Sequence, residues 1–182
     1  MNEPASRAVA ILGVAERMAR QTGYNGFSYR EIAKEVGIKA ASVHYHFPSK
    51  ADLGAAVGRR YTERLLAALG PPDDPEVSPD VLLRRYIEAF RRSLVEERLM
   101  CLCGVLGAEI ADLPQPVAAE AKRFFERNIA WLTRVFERAP EERSPEQARA
   151  AAMHVVATLE GAMILARAMD DTAVFDAVTQ GL

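Results

Sequence analysis

Cysteine is nearly missing from this 182-residue chain, which has only Cys101 and Cys103. Their spacing fits neither a zinc-ligand nor a thioredoxin-type pattern, so no metal site is expected. On a helix, positions i and i+2 point about 200° apart, so the two cannot readily bridge and both read as reduced thiols. Long apolar runs are missing too. No uninterrupted stretch approaches the roughly 20 residues a membrane helix needs, and Met1 to Ser6 hold no basic-then-apolar leader. A membrane role is therefore not expected, and a cytoplasmic location is. The chain also lacks sustained strand alternation, internal repeats and low-complexity tracts. There is no phosphate loop, metal-ligand set or strand-borne nucleophile. No cofactor is expected, and an enzyme using Cys101 with His154 as base is a rival without support.

What the chain does have is helical periodicity. Ile11, Leu12, Ala15, Met18 and Ala19 form one stripe, which Gly23 stops. Ser28 and Glu31 have the S-x-x-E form of a capping box and start a second helix, to Val36. Gly37 breaks it, Ile38 turns inward, and a short third helix runs from about Lys39 to Phe47. Pro48 ends that helix. Ser49 with Asp52 launches a fourth through Val57, Tyr61, Leu65, Leu66 and Leu69.

The proline-rich stretch from Gly70 to Pro79 cannot be helical and is the clearest boundary. Helices are then expected over 80–97, 99–111, 117–138 and 146–169. The class is all-α, and the length allows roughly 70% of the unfolded surface to be buried without staples. Charge divides along the chain: residues 1–64 carry ten Lys/Arg against six Asp/Glu, and the rest thirteen against nineteen. A basic front and an acidic rear suggest that the front meets a polyanion.

A helix, a glycine turn and a second helix of about eight residues suit a DNA major groove. The run from Gly26 to Ile38, with Ile32-Ala33 five residues ahead of Gly37, continues to Phe47-Pro48-Ser49-Lys50. Over residues 7–57 it resembles the DNA-binding signature of the TetR family of repressors. The spacing assigns Phe27, Ile32, Ala33, Val36, Ile38, Val43 and Phe47 to a small core. Ser28 caps the second helix, and Tyr29, Arg30, Lys39, Ala40, Ala41, Ser42, His44 and Tyr45 are expected to face outward. The resemblance implies that these positions and Ser28 meet bases and phosphates of double-stranded DNA, with Lys50 on a phosphate. Arg30 suits the O6 and N7 of guanine, and the alanines suit thymine methyls. Lys39, Ala41 and His44 depart from the family's habit of a serine cap, a glycine and a tyrosine in this helix.

The resemblance further implies a three-helix head, residues 1–50, joined through a helix over 51–69 to a ligand-binding and dimerisation domain, 51–182. The expected function is a homodimeric repressor of a palindromic operator, released by a small-molecule effector. Candidate ligand-lining residues are Phe90, Leu94, Cys101, Val105, Phe124, Asn128, Trp131, His154, Leu159 and Met163. Glu109 and Glu160 are further polar groups on apolar faces that either orient a ligand or satisfy one another. Cys101-Leu102 with Leu106, Ala108-Glu109 and Leu113 resembles the segment around a reactive cysteine in an electrophile-sensing member of the family. That allows a second reading, a sensor acting through Cys101, if Arg98 or a helix N-terminus lowers the thiol's pKa. Ala148, Ala151, Ala152, Val155, Leu159, Ala162, Met163 and Ala166 form a stripe that suits either a four-helix dimer interface or an internal core.

Overall fold

Each helix boundary near the N-terminus traces to a residue that satisfies or interrupts backbone hydrogen bonding. A computed structural model describes residues 3–182, with side chains from Ser6 onward. Helix α1 (Glu3–Thr22) stops at Gly23, which takes φ +80°. Helix α2 (Tyr29–Val36) starts at Ser28, whose hydroxyl accepts from the Glu31 amide at 3.3 Å and donates to the Glu31 carboxylate at 2.7 Å. It stops at Gly37, φ +76°, and the Gly37 and Ile38 amides both donate to the Ala33 carbonyl. Helix α3 (Ala40–His46) follows, then α4 (Lys50–Leu69). The α4 cap is reciprocal: the Asp52 amide donates to Ser49 Oγ at 3.1 Å and the Ser49 amide to the Asp52 carboxylate at 3.0 Å.

Beyond the proline-rich stretch lie α5 (Pro79–Val95), α6 (Leu102–Ala108), a 3-10 turn (Ile110–Asp112), α7 (Gln115–Glu137), α8 (Pro145–Ala168) and α9 (Ala173–Thr179). The helix expected over 99–111 is thus shorter. Two features go beyond the periodicity: the Ser144–Gln147 capping box that opens α8, and the short α9. Arg138 holds the proline-rich loop, its guanidinium donating to the carbonyls of Pro72, Asp74 and Val77.

The chain forms two compact units. The first comprises residues up to Thr62 together with Leu102–Phe124. Its core joins Ile11, Ala15 and Ala19 to Phe27, Ile32, Ala33, Val43, Leu53 and Val57, and also to Leu102, Leu106, Val117 and Ala121. Val36, Ile38 and Phe47 pack against it partly buried, so the expected head core holds, with three members at its rim. Leu102–Phe124 thus pack with the N-terminal helices. A three-helix head exposes an apolar face that α6 and the start of α7 cover, and each fully buried Leu or Val there contributes about 1.5–3 kcal/mol. The second unit comprises Glu63–Cys101 and Phe125–Leu182. Its buried residues include Leu82, Tyr86, Phe90, Leu132, Val135, Leu159 and Phe175.

Among the described residues, α8 alone is long and apolar enough to cross a bilayer by length and composition. Eight of its residues are buried within the unit, and these account for much of that apolarity.

Gly23 is buried at positive φ, and a Cβ there would lie 1.9 Å from Glu109 Oε1. Gly23→Ala is expected to cost about 1–3 kcal/mol, because backbone strain remains even if the Glu109 side chain withdraws. Thermal denaturation checks this, and an unchanged midpoint refutes it.

Candidate functional site

Helix α3 has seven residues, and one of them, Val43, is buried. The rest of the helix is therefore displayed. Ala40, Ala41, His44 and Tyr45 are exposed, Tyr45 by 83%, while Ser42 and His46 are half-buried. Lys39, preceding the helix, is exposed and makes no side-chain cap. Arg30 is exposed on α2. Ser28 is exposed too, with its hydroxyl occupied by the Glu31 cap. Arg7, on α1, was not foreseen. It lines a shallow concavity of about 280 Å³ with Lys39, Ala41, Ser42, Tyr45 and His46. The apolar stripe of α1 marks its inward face, and an outward arginine leaves no signal there.

Tyr29 corrects an expectation. It was expected to face outward, but it is 9% exposed and belongs to the head core. Its hydroxyl donates to the Phe47 carbonyl at 2.8 Å, and its ring lies 4.5 Å from that of His44. Burial, with smaller contributions from Asp52 and Tyr24, pushes its phenol up to about 12, so it stays a proton donor. At the first position of a helix, periodicity does not say which way a ring turns, and the open carbonyl at the end of α3 supplies the partner.

Lys50 is half-buried, its Nζ 4.5 Å from the Phe27 ring centroid and 4.8 Å from that of Tyr24. Burial lowers its pKa, against an opposing pull from Glu31 and Glu109. Two aromatic faces thus hold the ammonium at the start of α4.

A second constellation lies in the other unit. Tyr86 Oη donates to Asn128 Oδ1 at 3.0 Å, and both residues are fully buried. The Trp131 ring stacks on Tyr86 at 5.8 Å, its Nε1 donating to the Gly70 carbonyl at 2.9 Å, and Phe90 lies 5.2 Å from Tyr86 on another side. Glu160 places both carboxylate oxygens out of solvent, where neither meets a hydrogen-bond partner. Burial pushes this acid up to about 7, and polar contact with the Cys101 thiol offsets the rise only in part. Burial likewise raises the Tyr86 phenol, with Cys101 and Glu160 adding to it.

The candidate ligand-lining residues fall in both units. Phe90, Cys101, Asn128, Trp131 and Met163 are buried in the second unit. Val105 and Glu109 belong to the first, where the Glu109 carboxylate accepts from the Tyr24 amide at 2.8 Å. That carboxylate is engaged in holding the α1–α2 loop. His154 is exposed on α8 while Cys101 is 1% exposed, which removes the base from the cysteine-enzyme rival.

Of the two readings of the α8 stripe, the structure favours the internal core. Ala148, Ala152, Val155, Leu159, Ala162, Met163 and Ala166 are buried within the unit, so that face is core. The opposite face exposes Met153, Ile164 and Leu165, continued by Met169 and, on α9, Val178.

Comparison with known proteins agrees with this geometry. Residues 11–57 match the family model for bacterial regulatory proteins of the tetR family, and residues 79–181 that for the C-terminal domain of LmrA/YxaF-like transcriptional regulators. A TetR-family transcriptional regulator from Agrobacterium tumefaciens is 36% identical over 98% of this chain and 96% of its own, with a TM-score of 0.90. A TetR transcriptional regulator from Legionella pneumophila is 34% identical over 93% and 91%, TM-score 0.86. Reduced NemR from E. coli is 20% identical over 94% and 92%, TM-score 0.76, a likeness of fold alone. No match is found among curated proteins.

Glu160 yields a stability prediction with a definite sign. A carboxyl held at about 7 in the fold and near 4.5 when unfolded binds its proton more tightly when folded. Its favourable contribution is present below pH 4.5 and is lost as the pH rises through 7. Glu160→Gln should stabilise the protein at pH 8, by on the order of 2–3 kcal/mol at most, and by much less at pH 5. Equal gains at both pH values, followed by thermal denaturation, contradict the assignment.

Proposed function

Because the chain belongs to the TetR family of bacterial regulatory proteins, we propose that it is a cytoplasmic homodimeric repressor that grips a palindromic operator with α2 and α3 and releases it on binding a small molecule. The observation that carries this reading is the outward face of α3, with a single side chain buried and cations beside it at Arg7, Arg30 and Lys39. A surface of methyl groups, hydroxyls and a tyrosine, flanked by guanidinium and ammonium groups, has the chemistry of a duplex groove. The cations and hydroxyls engage phosphates and fix register, while Arg30, Ala40 and Ala41 meet base edges. Tyr29 acts indirectly, by fixing α3. Its relatives are transcription regulators, and no catalytic role is proposed.

Dimerisation is assigned to the exposed face of α8 and α9. Met153, Ile164, Leu165, Met169 and Val178 are large apolar side chains left exposed there, and Ala157 and Gly161 on α8 allow close helix approach. Two heads must then lie about 34–36 Å apart, or a multiple of that, to enter successive major grooves. The electrophile reading is not carried forward. A reactive thiolate needs a cationic, accessible setting, whereas Cys101 is buried beside a phenol and a carboxyl group.

The roles separate by mutation once an operator has been selected from random duplexes. Lys50→Ala should weaken binding to every sequence and reduce the salt dependence by about one phosphate contact. Arg30→Ala should also relax preference at one base position, worth about 1–3 kcal/mol. Uniform loss across all sequences for both variants, in fluorescence-anisotropy titrations, refutes the division of labour.

Ile164→Asp tests the interface. Sedimentation should show monomers, and operator affinity should fall at least tenfold while the circular dichroism spectrum is kept. A variant that remains dimeric places the interface elsewhere.

A further inference from the structure

We propose that Glu160 anchors the effector, and that the effector is an organic cation: an aromatic or aliphatic body carrying an ammonium or amidinium group. This rests on the reading of the chain as an effector-released regulator and adds the chemical class. Both Glu160 oxygens are buried and neither has a hydrogen-bond partner. Buried polar groups in native proteins are nearly always paired, because an unpaired one costs its full desolvation penalty. An exception calls for a partner from outside the chain or for a proton held by the group itself.

The surroundings favour the first. The groups that bear electrostatically on the carboxyl are the Cys101 thiol and the Tyr86 phenol, and neither carries positive charge. Tyr86 packs against Phe90 and Trp131, so the acid neighbours an aromatic cluster. A cationic N–H donor would satisfy the oxygens, balance their charge and stack on π-faces. A neutral donor would do only the first, and an anion none of the three.

The sole tryptophan of the chain, Trp131, belongs to this cluster and supplies the readout. Full-length protein would be titrated with benzamidine and 4-phenylbenzamidine, and in parallel with benzamide and benzoate, which keep the ring and change the charge. The amidines should perturb Trp131 fluorescence and raise the thermal midpoint, with the amide and the acid at least tenfold weaker. Glu160→Gln, which keeps shape and loses charge, should abolish the amidine preference while retaining operator binding. The amidine that binds should also lower wild-type operator affinity, by about 5- to 150-fold.

Three outcomes overturn the proposal. One is no response to either amidine at millimolar concentration. Another is equal binding of benzoate. The third is a Glu160→Gln variant that keeps the amidine preference, or that changes only the monomer–dimer equilibrium, which would assign the partner of Glu160 to a second copy of the chain. In each case intact operator binding leaves the regulator reading standing, whereas wild-type protein with no salt-sensitive duplex binding removes that reading first.

Discussion

A helix of seven residues that buries one side chain cannot hold its own place. Isolated helices shorter than about 12–15 residues are marginal in water, and α3 gains little from burial beyond Val43. Its orientation depends on its two ends. At the start, Gly37 in the left-handed conformation folds the chain back so that Ile38 packs inward. At the finish, the Phe47 amide closes on the Val43 carbonyl at 2.8 Å, while the Phe47 carbonyl accepts from Tyr29. The Tyr29 bond matters because it is long-range: it ties the last residue of one helical corner to the first residue of the other. The display of Ala40, Ala41 and Tyr45 follows from that closure.

The same dependence extends further along the chain. Leu102, Leu106, Val117 and Ala121 enter the core that holds Phe27, Ile32 and Val43, and Glu109 takes the Tyr24 amide in the loop between α1 and α2. The N-terminal helices are thus completed by a segment that begins 23 residues after Pro79. Any change that displaces Leu102 therefore acts on the packing under α3 as well as on its own neighbourhood. Such coupling requires no wire of specialised residues, since a shared close-packed core transmits small shifts.

What could be read from the amino acids alone divides by range. The caps at Ser28 and Ser49, the break at Gly37 and the core positions Ile32, Ala33 and Val43 are local, set by spacings of three or four residues, and they hold in the structure. Tyr29 was misplaced because its partner is the carbonyl of Phe47, eighteen positions away, and no periodicity contains that distance. That α6 packs against the apolar face of the head is hidden for a similar reason, since adjacency along the chain does not suggest it. Val105 and Glu109 were grouped with Phe90 and Trp131 as lining residues because all lie on amphipathic helices, and amphipathicity does not say which core a face joins.

Helix α8 shows the same limit in another form. It carries two apolar stripes, one of small residues from Ala148 to Ala166 and one of Met153, Ile164 and Leu165, and a helix has two faces to bury only if it has two partners. The small-residue stripe, which looked suited to close approach between subunits, packs inside the unit, where α5 and α9 lie against it. The bulkier stripe is left outside. In the proposed dimer, the second partner is another copy of the chain. Glu160 is half-buried, along the seam between the two stripes. A carboxylate at that seam costs stability when it is charged and alone, and a chain that keeps it there gains only if something cationic arrives.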